Sequence, residues 1–106
     1  MALLHINDAS FESKIAKGIS LVDFWASWCG PCQMFGPTFE AASEKIPDVN
    51  FLKFEVDEHN RVTPSKYGIR SIPSVLAFKD GKLVEARVGV MDIDTIKHWV
   101  SELKGS

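Results

Sequence analysis

The sequence contains only two cysteines, Cys29 and Cys32, which leaves no material for the multi-bridge framework of small disulfide-rich domains. A zinc ribbon is equally short of ligands. Two paired cysteines are half a site, and His5, His59 and His98 stand singly, far apart in the chain. No apolar run approaches the roughly 20 residues of a membrane-spanning helix. Neither sign of charge is in excess, because 12 Lys and Arg face 14 Asp and Glu, a formal net charge of −2. That balance offers nucleic acid and anionic membranes no general attraction, and no basic stretch is interleaved with aromatics. Repeats, low-complexity tracts and linkers are also missing, so the 106 residues are expected to form one domain spanning 1–106. Met1-Ala2-Leu3-Leu4-His5 passes at once into polar Asn7-Asp8, too short and too uncharged for a secretory leader. The expected location is the cytoplasm, where a cysteine pair is more often catalytic or metal-binding than structural.

What is present is an ordinary globular composition, 45% hydrophobic and 25% charged, organised around Ala26-Ser27-Trp28-Cys29-Gly30-Pro31-Cys32. The apolar run Leu21 to Ala26 reads as a strand leading into this stretch, and the segment after it as a helix. A helix starting at the Gly-Pro turn aims its free N–H groups and positive dipole end at Cys29, favouring thiolate over thiol. Cys32 falls one helical turn on, roughly 5–6 Å away and within disulfide reach. A purely structural bridge is disfavoured because so short a loop removes little chain entropy from the unfolded state. The pair looks like a dithiol built to open and close.

Leu3–Ile6 reads as a first strand and Asn7 as the cap of a helix carrying Phe11 and Ile15 and ending at Gly18, with Ile6 and Phe11 placed as a hydrophobic staple. Leu21–Ala26 is apolar on both faces except at Asp23, as for a central strand covered on both sides. An ionised carboxylate there must be hydrogen-bonded or paired, or its pKa must rise. Six residues before Cys29, such a group is a candidate general base. Residues 31–46 form the second helix, with Met34, Phe35, Phe39, Ala42 and Ile46 as apolar positions and Pro37 as an expected kink. In residues 51–56, Leu52, Phe54 and Val56 alternate with Phe51, Lys53 and Glu55. Lys53 is placed either to reach towards Asp23 or to sit in solvent. This third strand of a strand-helix-strand-helix-strand series argues for parallel pairing with helices covering the sheet.

Residues 60–67 suggest a short helix broken near Pro64 and ended by Gly68. Val75–Phe78 and Lys82–Val88, joined by Asp80-Gly81, read as an antiparallel hairpin. Pro73 precedes it, and base rates alone make its peptide bond trans. Asp92 caps a last helix, where Ile93, Ile96, Val100 and Leu103 recur at helical spacing beside Trp99.

Four blocks together resemble the thioredoxin family: Asp23 to Cys32 (DFWASWCGPC), Lys66 to Pro73 (KYGIRSIP), Phe78 to Gly81 (FKDG) and Val88-Gly89. Their order and spacing carry the resemblance from end to end of the chain. It implies an α/β thioredoxin fold, a mixed five-stranded sheet flanked by four helices, with no cofactor and no metal beyond the Cys29/Cys32 dithiol. It implies that Cys29 attacks a partner protein's disulfide and Cys32 resolves the mixed disulfide. Asp23 then matches a buried carboxylate that takes the Cys32 proton, and Lys53 a lysine that tunes it. Pro73 matches a cis-proline, against the base rate. Trp28, Gly30, Pro31, Ile72, Pro73, Val88 and Gly89 match an apolar target-binding surface, where an extended peptide adds like a strand. The implied partners are proteins with disulfides and a flavin-dependent thioredoxin reductase using NADPH, with the chain itself a monomer. Gln33 departs from the lysine frequent in the family and removes a cation beside the dithiol. The main reading is a protein-disulfide reductase. An isomerase or oxidase on the same fold is a second, although Pro31 stands where isomerases usually carry histidine. A non-catalytic subunit holding a partner on the apolar surface is a third.

Overall fold

A computed structural model describes residues 3–105. The elements run β1 (Leu3–Ile6), α1 (Phe11–Lys14), β2 (Ile19–Trp25), α2 (Gly30–Lys45), β3 (Asn50–Glu55), α3 (Val62–Lys66), β4 (Ser74–Lys79), β5 (Lys82–Val88) and α4 (Ile93–Lys104). The five strands form one sheet in the order β1-β3-β2-β4-β5. β3 lies parallel between β1 and β2, while β4 pairs antiparallel with both β2 and β5. This is the mixed five-stranded sheet with four helices expected from the sequence.

Alternation along the central strands divides the core. Leu21, Phe51, Val75 and Ala77 pack with Phe35 and Phe39 of α2 and with Ile96, Trp99 and Val100 of α4. Val22, Phe24, Leu52, Phe54, Leu76 and Phe78 face the other way, towards Phe11 and Ile15. Phe11 meets the rings of Phe54 and Phe78 edge-on, at centroid distances of 6.2 and 5.5 Å. Ile6 and Phe11 share this cluster, but the N-cap of α1 is Ser10 and not Asn7, which puts Phe11 at the first helical position and not at that of a hydrophobic staple.

Three local expectations differ from the structure, at α1, Met34 and Pro64. Asn7 and Ser10 exchange reciprocal bonds, Asn7 N–H to Ser10 Oγ at 3.1 Å and Ser10 N–H to Asn7 Oδ1 at 3.0 Å. The regular helix nevertheless covers only Phe11–Lys14 and does not reach Gly18. Gly18 is drawn off to the β4–β5 turn, where its N–H donates to Asp80 Oδ1 at 2.8 Å and its carbonyl accepts from Asp80 N–H at 2.9 Å. Asp80 (φ 51°) and Gly81 (φ 84°) both take left-handed backbone, the conformation of a two-residue hairpin turn. Met34 is not a core position: it is 72% exposed, one residue off the stripe of Phe35, Phe39, Ala42 and Ile46, all buried. Pro64 does not break α3, because it occupies the first turn, where a missing N–H leaves no bond unmade. The Asp8 carboxylate caps that turn from across the chain, accepting from Val62 N–H at 3.1 Å and Thr63 N–H at 2.8 Å. The Ile72-Pro73 bond is cis, as the resemblance implies and the base rate does not. α2 continues through Pro37 to Lys45.

Candidate active site

β2 is the central strand, and its last residues pass through Ala26, Ser27 and Trp28 to the start of α2. Cys29 is the N-cap, in extended conformation (φ −94°, ψ 112°), and Gly30 and Pro31 open the first turn. Proline suits that place because its fixed φ is helical and no N–H is needed there. Cys29 Sγ accepts the N–H of Cys32 at 3.2 Å, the role a serine or aspartate oxygen takes in an ordinary N-cap. A sulfur in this position meets a helix's positive end, so negative charge on Cys29 is stabilised once the bridge opens. Thioredoxin-type Cys-x-x-Cys motifs are themselves the standing illustration of that effect.

Cys29 and Cys32 are joined as a disulfide, with their Cα atoms 5.2 Å apart. Both are buried, at 6% and 2% exposure, and they pack with Ala26, Trp25 and Ile72. The Ile72 carbonyl oxygen lies 3.8 Å from Cys29 Sγ, immediately before cis-Pro73. The Pro73 carbonyl in turn accepts the N–H of Gly89 at 2.8 Å. Residues from three separate stretches are thus tied to the dithiol. Trp28, Gly30, Pro31 and Val88 are exposed, with Trp28 at 78%, whereas Ile72 and Gly89 are half-buried and Pro73 is buried.

Asp23 is wholly buried on β2, in register with Lys53 of β3 and Val75 of β4. Neither of its carboxylate oxygens has a hydrogen-bond partner. Burial raises its pKa from 3.8 to about 7, against the opposing pull of the Lys53 charge. The Lys53 ammonium stands 4.6 Å from the centre of the Trp25 ring. Nζ also lies beside Gly36 of α2, where a Cβ would stand 3.4 Å away, an ordinary contact. Gln33 fills a role that its sequence position did not suggest, since its Nε2 donates to the Ser27 carbonyl at 3.0 Å and braces the loop before Cys29. Only a pairing six residues back along the chain gives that contact, and no motif signals it.

A family model of thioredoxins matches residues 2–102. The chain belongs to the thioredoxin family. It is 40% identical to a thioredoxin of Bacillus subtilis (strain 168) over 103 residues, covering 96% of this chain and 98% of that protein. It is 47% identical to a thioredoxin of Staphylococcus aureus over 90 residues, covering 84% and 86% of the two chains. Thioredoxins are protein-disulfide reductases, and the Cys29–Cys32 pair at the N-terminus of α2 is a thiol–disulfide oxidoreductase centre. Among the described residues no group of three or more His, Cys, Asp and Glu is arranged to hold a metal. Among them, too, no helix is long and apolar enough to cross a membrane.

Proposed function

We propose that the chain folds as one thioredoxin domain and works as a cytoplasmic monomer that reduces disulfides of partner proteins. The observation that carries this reading is the Cys32 N–H bond to Cys29 Sγ at the helix N-terminus, which prepares one sulfur and not the other for negative charge. In the reduced protein Cys29 is the nucleophile. Its thiolate attacks one sulfur of the partner's disulfide, forms a mixed disulfide, and expels the other sulfur as a thiolate that takes a proton from water. Asp23 accepts the proton of the Cys32 thiol, and the resulting thiolate attacks Cys29 Sγ. The partner leaves with both its sulfurs reduced, and the two electrons it gained leave Cys29–Cys32 as a disulfide. Asp23 and the thiols titrate as a coupled set, with Lys53 favouring the ionised carboxylate.

Trp28, Gly30, Pro31, Ile72, Pro73, Val88 and Gly89 form the strip that receives the partner. An extended segment bonds to the backbone beside Pro73, which reads little sequence and gives a broad range of proteins. A flavin-dependent thioredoxin reductase returns the dithiol with electrons from NADPH. No cofactor is needed within the chain, because the sulfurs carry the electrons.

The test is insulin reduction with Cys29→Ser and Cys32→Ser. Cys29→Ser is expected to abolish turnover, and Cys32→Ser to stop after one attack and accumulate a mixed disulfide. Wild-type rates in Cys29→Ser would sink the reading. The reduction potential of the couple separates reductase from oxidase or isomerase, since about 30 mV corresponds to roughly 1.4 kcal/mol. A value at the reducing end is expected.

A further inference from the structure

The chain has three arginines, and they are used unequally. Arg87 is engaged on every side: Nε meets Glu85 at 3.2 Å, Nη2 meets Glu102 at 3.4 Å, and the guanidinium lies 4.4 Å over the Trp99 ring. Arg61 and Arg70 are exposed, and among the described residues neither guanidinium has an ion pair, side-chain hydrogen bond or ring contact. Both line one open cleft of about 430 Å³, with Val56, Pro64 and Ile69 as its apolar lining and Ser65 beside them. The acids nearest in sequence are occupied locally. Asp57 accepts the N–H of His59 at 2.8 Å, and Glu58 lies 3.6 Å from His59 Nε2. Lys66, the next cation along, is held by Glu12 at 3.0 Å.

The cleft adjoins the dithiol through the backbone. Val56 N–H donates to the Trp25 carbonyl at 2.7 Å, which fixes one wall of the cleft to the end of β2 just before the cysteine loop. Arg70 stands two residues before Ile72, whose carbonyl is 3.8 Å from Cys29 Sγ. Two residues of chain span at most about 7 Å. The cleft is therefore close enough to the dithiol for one partner molecule to fill it while offering its disulfide to Cys29.

We propose that this cleft docks an acidic segment of the partner protein, with carboxylates on Arg61 and Arg70 and aliphatic parts on Val56, Pro64 and Ile69. The inference rests on the reductase reading for its functional meaning and adds a preference to it: partners carrying glutamate or aspartate beside the reducible disulfide are handled faster. Guanidinium groups suit this work because each presents paired donors to a carboxylate and stays charged. The apolar lining supplies contact area, and the arginines supply the selectivity that backbone pairing at Pro73 lacks.

The binding arm uses the oxidised protein and a disulfide-free octapeptide with two glutamates, against its glutamine counterpart. The acidic peptide is expected to shift the Gly68 and Ile69 amide resonances saturably at low salt and far less at about 0.5 M salt. The glutamine peptide should leave them in place, and the Arg61→Gln/Arg70→Gln variant should lose the response. In the kinetic arm, the reduced protein acts on disulfide peptides with glutamate or glutamine flanks. The acidic one should show a kcat/KM advantage of about five-fold, the scale of two solvent-screened charge pairs. The double variant should lose that advantage while reducing the neutral peptide at the parent rate. Equal shifts from both peptides, no shift from either, or a preference surviving in the variant would overturn the proposal. Binding without reduction of any peptide would instead count against the reductase reading, because the binding arm involves no chemistry.

Discussion

Asp23 and Lys53 are register partners on adjacent parallel strands, yet the carboxylate makes no hydrogen bond and the ammonium rests over Trp25. Opposite charges one strand apart would ordinarily close on each other. Here the lysine lowers the carboxylate pKa only through space, burial outweighs it, and the result is an acid that titrates near 7. That value lies where a group both gains and loses a proton readily at neutral pH.

Stability should respond to this group with a definite sign. The folded state holds the Asp23 proton more tightly than the unfolded chain, whose aspartate titrates near 3.8. Stability is therefore lost as pH rises from about 4 to 7, and the loss is complete above that window. Asp23→Asn removes the penalty. Urea unfolding at pH 8 should show the variant more stable, by up to about 4 kcal/mol from the displacement of 3.8 to about 7, and at pH 4 nearly unchanged. A variant no more stable than the parent at pH 8 would contradict the buried charge.

The same substitution should slow resolution of the mixed disulfide. A base must be ionised to take the Cys32 proton, so the wild-type resolving rate should climb from about pH 6 to 8. Stopped-flow measurement of partner release should find Asp23→Asn slower by about 10²-fold near pH 7, with that rise removed. An unchanged profile would take Asp23 out of the proton path.

Trp28 offers the opposite combination of effects. It is 78% exposed, so Trp28→Ala should move stability by less than about 0.5 kcal/mol. Loss of its apolar face beside Cys29 should raise KM for insulin several-fold and leave the reduction potential close to that of the parent. Thermal melts and steady-state kinetics on one preparation check both parts.

Asp8 makes its hydrogen bonds at α3 and not at the dithiol, and still holds the fold together. Its carboxylate caps α3 from the β1–α1 connection, through Val62 and Thr63. Asp8→Ala should destabilise by about 1 kcal/mol, as a lost helix cap does, and Asp8→Asn should recover part of it. Insulin reduction at 25 °C should be unaffected by either.

The sequence made the central architecture legible because the signals there are local and repeat. Leu21, Val22 and Phe24 announce a strand covered on both faces, Asp80-Gly81 announces a hairpin, and the Cys29 to Cys32 spacing announces the helix start. Asp23 was recognisable as an anomaly inside such a strand. Where Lys53 would settle was not, since its place over Trp25 rests on a contact made only on folding. The early end of α1 has the same origin, as Gly18 pairs with a residue 62 positions away. Met34 failed as a core position because counting apolar residues in a helix does not fix which side of the stripe each one takes. The free arginines were equally silent, because a charged side chain shows itself unpaired only once every possible partner has been placed.

The depth of the Cys29–Cys32 pair has a consequence for what this protein selects. With both sulfurs nearly covered and the Ile72 carbonyl standing beside Cys29, a partner must carry its disulfide on a segment that projects and bends inwards. On the reductase reading, a bridge on a locally unfolded or hinged segment is expected to reach Cys29 more readily than one held flat on a rigid surface.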